Sequence, residues 1–451
     1  MGLTVALNTA ISGLIAHQQA IAATSENIAN VNVPEFSRRE ADFFTDAIPN
    51  QFAGVSVELT RAGVDRFLRS AVYSSQSSAS SLNAIAGVLE QIEATLGAPG
   101  DNNDFANALN EAYASFAELA AAPSSLAAKA VAVSKLEDAF SAFSRTISAI
   151  DDQSLSIDAR LRAQADQANA LLRDIYNLNQ IAPESNGASD EIDARLRDLS
   201  ALIDISVVYS EDGRVSVSLS NGQLLVNSAS LSAIVISPGA TTSAQLASAD
   251  PATGAVGATG ADVTALIGGG EIGGLLRLRN TDLPQLRESV VSAAGAVAAD
   301  INAAYAQNVA VGQTAPSGDA LIVQSNGVFT VNAAIAADPS LLAIARPAGG
   351  APGGANDGAG AGAIASLGGA PSTQGAAEAV TLIGAAAKTA SDRAGSAQRF
   401  AEEVEVRRLS EGGVNLDEEL SNLLLFQRAY SANARVISAI DEMYQSLLNI
   451  I

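Results

Sequence analysis

The stretch LDEELSNLLLFQRAYSANARVISAIDEMYQSLLNII, Leu416–Ile451, contains neither proline nor glycine and keeps an apolar period throughout. Alternating steps of four and three from Leu416 reach Leu420, Leu423, Gln427, Tyr430, Ala434, Ile437, Asp441, Tyr444, Leu448 and Ile451, with breaks only at Gln427 and Asp441. That is the seam spacing of a coiled-coil helix. A second stripe runs through Leu425, Ala429, Ala432, Val436, Ile440, Met443, Leu447 and Ile450. A helix that is apolar on two sides cannot be satisfied by one partner helix.

The other end of the chain offers the first partner. Leu3, Leu7, Ala10, Leu14, His17, Ile21, Thr24 and Ile28 repeat with the same steps, and Ile11 and Ile15 widen the stripe. Asn30, Asn32 and Pro34 end the helix. The two ends are therefore expected to pair as a coiled-coil assembly unit, 1–62 with 414–451. The second stripe of the closing helix is left for another surface, most simply another subunit. A helix covered on one side only is marginal, so the ends are expected to order fully on assembly.

Between the ends the pattern is nested. Residues 31–62 read as extended, with Val55, Val57 and Leu59 alternating in GVSVELT. A helical pattern follows to about 203, broken at GAPGDNND (97–104) and AAAPSS (120–125), with Ile150, Ile157, Leu161, Ala168, Leu172, Ile175 and Leu178 on one face. The period then switches to two. Val215, Val217 and Leu219 alternate with serines, and Asn221-Gly222 marks a hairpin. Residues 238–262 read as a Gly/Ala/Thr-rich connection. Helix resumes with Leu283, Leu286, Val290, Val297 and Ile301 on one face. Arg346–Gly375 is Gly-rich and is expected to be a mobile, dispensable loop. The expectation is a mainly α protein, elongated and multidomain, with an inserted β domain. Its helical rod-like core spans 63–203 with 273–413, its β domain 204–272, and the chain goes out and comes back.

Composition limits function. The 451 residues carry 48 acidic and 25 basic side chains, a net charge of −23, which argues against nucleic acid and anionic membrane as partners. There is no cysteine, so disulfides and thiolate chemistry are excluded. No apolar run is long enough to span a membrane, and no basic residue precedes Arg38, so the first helix does not read as a secretory signal. His17 is the only histidine and sits in the apolar seam, where it packs rather than catalyses. The acidic pairs Asp101/Asp104, Asp151/Asp152 and Glu418/Glu419 lie near expected helix starts and read as caps rather than metal or acid/base sites. GAGAGA, Gly358–Ala363, lacks the strand and helix that a dinucleotide loop needs. No enzyme, cofactor or metal is indicated. A monomeric helical binding protein, closed by its own terminal helices, remains an alternative.

TSENIANVNVPEFSRRE (Thr24–Glu40) and GVNLDEELSNLLLFQRAYSANARVISAIDEMYQSLLNII (Gly413–Ile451) resemble the paired terminal motifs of the bacterial flagellar axial proteins, the family of rod, hook and hook–filament junction subunits. Ser37-Arg38 after Asn-x-x-Pro, NLDEEL (Asn415–Leu420), RLRDLSALIDISVVYSEDGRVSVSLSNGQLLV (Arg195–Val226) and GGLLRLRNTDLPQLRES (Gly273–Ser289) are similar to the junction members, with another axial protein of the hook or rod as the alternative. Val33, Glu35 and Phe36 depart from the family's usual Thr, Gly and Tyr, and an outer domain is expected to be missing after YAQNVAVG. The resemblance implies a mechanical subunit, exported by the flagellar type III apparatus without cleavage. It implies copies of itself, the hook protein, the second junction protein and an export chaperone on the closing helix as partners. The implied assembly interface is Leu3, Leu7, Leu14, Ile21, Ile28, Leu416, Leu420, Leu423, Tyr430, Val436, Ile437, Met443, Tyr444, Leu447 and Leu448.

Overall fold

A computed structural model describes residues 2–33, 36–48, 51–61, 66–97, 104–184, 186–210, 212–316, 318–325 and 327–448. Asp101, Pro34, Glu35, Ile450, Ile451 and the side chain of Leu447 lie outside that description. In chain order, α1 (Gly2–Ala29) leads into a hairpin of β1 (Arg39–Ile48) and β2 (Gln51–Arg61). Four helices follow: α2 (Arg66–Glu93), α3 (Phe105–Ala121), α4 (Leu126–Ile181) and α5 (Asn186–Leu202). The β region holds β3 (Ile205–Tyr209), β4 (Val215–Leu219), β5 (Leu224–Val226), β6 (Ser232–Ser237), β7 (Ser243–Ala249) and β8 (Val256–Asp262). The chain returns through α6 (Gly270–Arg277), α7 (Leu283–Tyr305), β9 (Ile322–Ser325), β10 (Val328–Val331), α8 (Ala333–Ala337), α9 (Ala359–Ala365), α10 (Pro371–Gly412) and α11 (Leu416–Leu448).

The spine is α4, whose 56 residues make a rod about 84 Å long at about 1.5 Å per residue. Ser125 caps it by accepting from the Ala128 amide, as Asp104 caps α3 from the Ala106 and Asn107 amides. Leu136, Phe140, Phe143, Ile150, Ile157, Leu161, Ala168, Leu172 and Ile175 are buried along it. α3 and α7 cover its first half, and α5 and the β region cover its second. On the other side α10 returns along α2, presenting buried Ala376, Ala379, Ala387, Ala390 and Ala394. Those small side chains let the helices approach closely, which is why so few aromatic residues suffice.

The β region is an antiparallel meander of two three-stranded sheets, β3-β4-β5 and β6-β7-β8, joined by an isolated bridge between Val226 and Leu231. Val215, Val217 and Leu219 point inward, as their alternation predicts. The expected connection at 238–262 instead holds β7 and β8. β8 (VGATGAD) is exposed along its length, so it lacks the apolar alternation that marks a strand. The meander is not walled off from the helices: Val215, Leu225 and Ile234 belong to the same buried cluster as Leu161, Leu172 and Ile175.

The expected mobile loop at 346–375 is ordered. Gly358 and Gly360 bring α9 so close to α3 and to Asn308 that a Cβ on Gly358 would collide with the Ala120 main chain, and one on Gly360 with the Asn308 side chain and the Ile344 carbonyl. Ala361 and Ile364 are fully buried. The glycines permit close packing rather than motion.

Asp151 and Asp152 lie in the middle of α4 rather than at a helix start, and Asp151 accepts from Arg287 Nε at 2.7 Å.

Candidate assembly surface at the paired chain ends

α1 and α11 pack antiparallel. Asn27 meets Glu419, His17 meets Phe426 and Gly13 meets Asn433, so α11 runs back along α1. The seam differs from the leucine heptad. On α1 the buried residues are Ala10, Gly13, Ala16, Ala20, Ala23, Thr24 and Asn27, and Leu3, Leu7, Leu14, Ile21 and Ile28 are half-buried beside them. On α11 Glu419 and Ile440 are buried, and Leu423, Phe426, Tyr430, Asn433, Ile437 and Tyr444 are half-buried. Small residues on α1 therefore receive larger ones from α11. The Asn433 amide fills the space over Gly13, where a Cβ would stand 2.8 Å from Nδ2. Heptad spacing alone favoured the bulkier stripe and passed over this small-residue face.

A second layer covers α1. The β1–β2 hairpin lies on it, and the Val55 amide donates to Ser12 Oγ at 3.1 Å. Gly54, at φ +135°, passes Ser12 where no Cβ would fit. His17, Phe43 and Phe426 close the three-way contact, with ring centroids 5.2 Å apart for His17–Phe43, 6.2 Å for His17–Phe426 and 5.8 Å for Phe43–Phe426. Burial holds the His17 pKa below its ordinary value.

The base of the pair is a polar clamp. Arg38 donates from Nε to Glu419 at 2.6 Å and from NH2 to Glu418 at 2.8 Å. Asn27 donates to the same Glu419 at 3.0 Å. Burial works to lower the Arg38 pKa, but the hydrogen bonds and charges of Glu419 and Glu418 outweigh it and hold it above the ordinary value. The cap of α11 is Asn415, whose Oδ1 accepts from the Asp417 amide. Glu419 is thus an ion-pair partner buried to 2% exposure, not the cap its position suggested. Neither the clamp nor Phe43, Phe426 and Asn433 figured in the expected interface. The one available signal was that SRRE and LDEEL are complementary in charge.

One further link ties this unit to the rod. Arg39 reaches Asp190 on α5 at 2.7 Å. Within the rod itself, Arg197 on α5 and Arg408 on α10 share Glu405; burial works to raise its pKa, but these contacts outweigh it and hold it below the ordinary carboxylate value. Tyr73, Tyr209 and Asp193 form a hydrogen-bonded chain below the Arg69 guanidinium, which lies over the Tyr209 ring.

What α1 does not cover on α11 is open. Leu416, Leu420, Leu424, Leu425, Val436, Met443 and Leu448 are exposed, Leu425 to 61% and Leu448 to 72%. On α1, Val5, Ile11 and Ile15 are exposed as well. Of the expected interface, Leu423, Tyr430, Ile437 and Tyr444 face α1 side of the pair, while Leu416, Leu420, Val436, Met443 and Leu448 face outward. Single helices with this much uncovered leucine mark interaction surfaces. Among the described residues no cluster of three or more acidic or histidine side chains is arranged to hold a metal. No helix there is long and apolar enough to cross a membrane.

Residues 89–376 match the family model described as flagellar hook-associated protein FlgK helical domain. Residues 7–36 match the flagella basal body rod protein model, and 407–450 the flagellar basal body rod FlgEFG protein C-terminal model. The chain is similar to flagellar hook-associated protein 1 of Escherichia coli (strain K12), 25% identical over 318 residues covering 66% of this chain and 56% of that protein. The protein of the same description from Bacillus subtilis (strain 168) is 24% identical over 506 aligned positions covering 98% of this chain and 97% of it. The chain thus spans little more than half the length of the Escherichia relative and nearly all of the Bacillus one. Among solved structures, the flagellar hook junction protein FlgK from Burkholderia pseudomallei superposes with a TM-score of 0.51 at 25% identity, covering 57% of this chain and 47% of that one.

Proposed function

Since the chain belongs to the flagellar hook-associated protein FlgK family, we propose that it is a structural subunit of the bacterial flagellum. Its place is the hook–filament junction, and it assembles with copies of itself through the α1–α11 pair. The observation that carries this reading is the second, uncovered apolar face of α11, Leu416, Leu420, Leu424, Leu425, Val436, Met443 and Leu448. A monomer closed by its own ends would have no use for it. A neighbouring subunit laid on that face would bury several leucines, each contributing about 1.5–3 kcal/mol when fully covered.

The hook protein, the second junction protein and an export chaperone on α11 complete the proposed partner set, with export through the flagellar type III apparatus. The test separates the two faces of α11. Leu425→Asp with Met443→Asp should leave the melting temperature unchanged yet abolish incorporation at the hook tip and swimming. Protease should cut the ends of the free protein before the rod. Normal assembly of the double variant, or ends as protected from hydrogen exchange as α4 in the free protein, would favour the closed monomeric binding protein instead.

A further inference from the structure

A groove of 380 Å³ opens between α2, α7 and α10, away from the paired ends. Its floor is apolar: Leu82 and Leu89 from α2, Leu286 from α7 and Leu382 from α10. It stays open because α10 presents Ala386 there, where a longer side chain would fill it. The size falls within the ~300–1,000 Å³ of small-molecule sites. The rim is charged, with Arg277 and Asp282 on one side and Arg393 on the other.

The rim depends on an irregularity. Leu278–Asp282 is a turn of π-helix between α6 and α7. Residues five apart on a regular α-helix point about 140° from one another. The π turn instead brings Arg277 and Asp282 together, Nε to Oδ2 at 3.2 Å, both on the groove. Such insertions weaken a helix and occur often at functional sites. Arg393 has no hydrogen bond or ion pair to any described residue. Of three rim charges, then, one carboxylate is already engaged and one guanidinium is free.

We propose that this groove binds a small anionic amphiphile, its acyl chain along Leu82, Leu89, Leu286 and Leu382 and its carboxylate on Arg393, with Arg277 second. A space of 380 Å³ suits a single flexible chain better than a partner helix, which is about 10 Å across and needs a longer trough. The sign of the head group follows from the rim, whose two guanidinium groups and one carboxylate, itself paired with Arg277, leave a net positive charge. The chain's net charge of −23 disfavours anions over the surface at large, so an anion needs a locally basic edge such as this one.

The test is calorimetric titration of the full chain with dodecanoate below its micelle concentration, beside dodecyltrimethylammonium. Dodecanoate should bind saturably at one site and the cation at least tenfold more weakly. Arg393→Gln should weaken dodecanoate at least fivefold, and Ala386→Leu should abolish binding without lowering the melting temperature. If Ala386→Leu fails to fold, Arg393→Gln decides alone. Absence of saturable binding, equal binding of the cation, or full affinity in Arg393→Gln overturns the proposal.

Discussion

The side chain of Asn27 closes a two-way amide pair with the main chain of Arg39: Nδ2 donates to the Arg39 carbonyl at 2.9 Å, and the Arg39 amide donates to Oδ1 at 2.8 Å. The same device recurs at Asn169 with Ile234, Asn179 with Val215, Asn280 with Thr242 and Asn302 with Ile322. Each asparagine extends from a helical segment and serves one residue in or at the start of a strand as a neighbouring strand would, supplying both partners that a peptide needs. Asn179→Ala, at a fully buried position, leaves a donor and an acceptor unsatisfied at about 1–3 kcal/mol each. Denaturant unfolding should show a loss of that order for the rod. Asn27→Ala should instead speed hydrogen exchange in α1 and α11 alone. Equal effects of the two variants on the rod would mean that the ends are not a separate unit.

The clamp at the base of α11 makes a second prediction. Glu419 is 2% exposed and Arg38 19%, whereas Glu418 is 55% exposed. Removing one partner of a buried pair costs about 3–5 kcal/mol, and an exposed pair is worth about 0–1 kcal/mol. Glu419→Ala should detach α11, read as protease cutting within 416–448 faster than in the wild type, and Glu418→Ala should barely matter. The double variant Arg38→Met with Glu419→Met should recover part of the loss, because no charge is then stranded. No recovery would mean that the charges, not the packing, orient α11.

How much of this was legible follows from which residues carry the contacts. The out-and-back helices could be read because long apolar periods survive any choice of partner. The long face of α4 was legible for the same reason. The α1–α11 seam was half-legible. Leu423, Tyr430 and Ile437 lie where the heptad puts them, but Gly13, Ala16, Ala20 and Asn433 carry no hydrophobic signal, because close approach rewards smallness rather than apolarity. β8 was hidden by its exposure, and α9 by glycines whose use depends on Ala120 and Asn308, far away in the chain. The asparagine pairs were hidden as well, since nothing local distinguishes Asn179 from a surface residue.

The ordered glycine-rich segment reverses an expectation and so invites a direct test. Ala361 and Ile364 are fully buried, and Arg346 donates from Nε to Asn308 Oδ1 at 2.8 Å. Replacing 346–375 with a Gly/Ser linker removes these anchors. Losing the buried isoleucine alone costs about 2–5 kcal/mol. The melting temperature should fall by several degrees or more, and Gly360→Ala should fall in the same direction because the Asn308 side chain and the Ile344 carbonyl must move. An unchanged melting temperature in the linker variant would restore the dispensable loop.

The remaining prediction concerns pH at the paired ends. His17 lies between Phe43 and Phe426, its Nδ1 has no hydrogen-bond partner among the described residues, and burial lowers its pKa from the ordinary 6.5. The unfolded ends then bind a proton more readily than the paired ends do. Pairing is at full strength above about 6.5 and weakens as pH falls from there through the lower folded value. Because His17 is the only histidine in the chain, its ring protons give an unambiguous nuclear magnetic resonance titration. The midpoint should lie below 6.5, and hydrogen exchange in α11, corrected for its intrinsic pH dependence, should quicken as the ring charges. His17→Gln should flatten that response. Glu405, whose pKa is lowered by Arg408 and Arg197 despite burial, acts in the rod, and its contribution is lost only at more acid pH, in wild type and variant alike. A His17 midpoint at or above the ordinary value would mean that the ring is hydrated and that the aromatic contact does not form in solution.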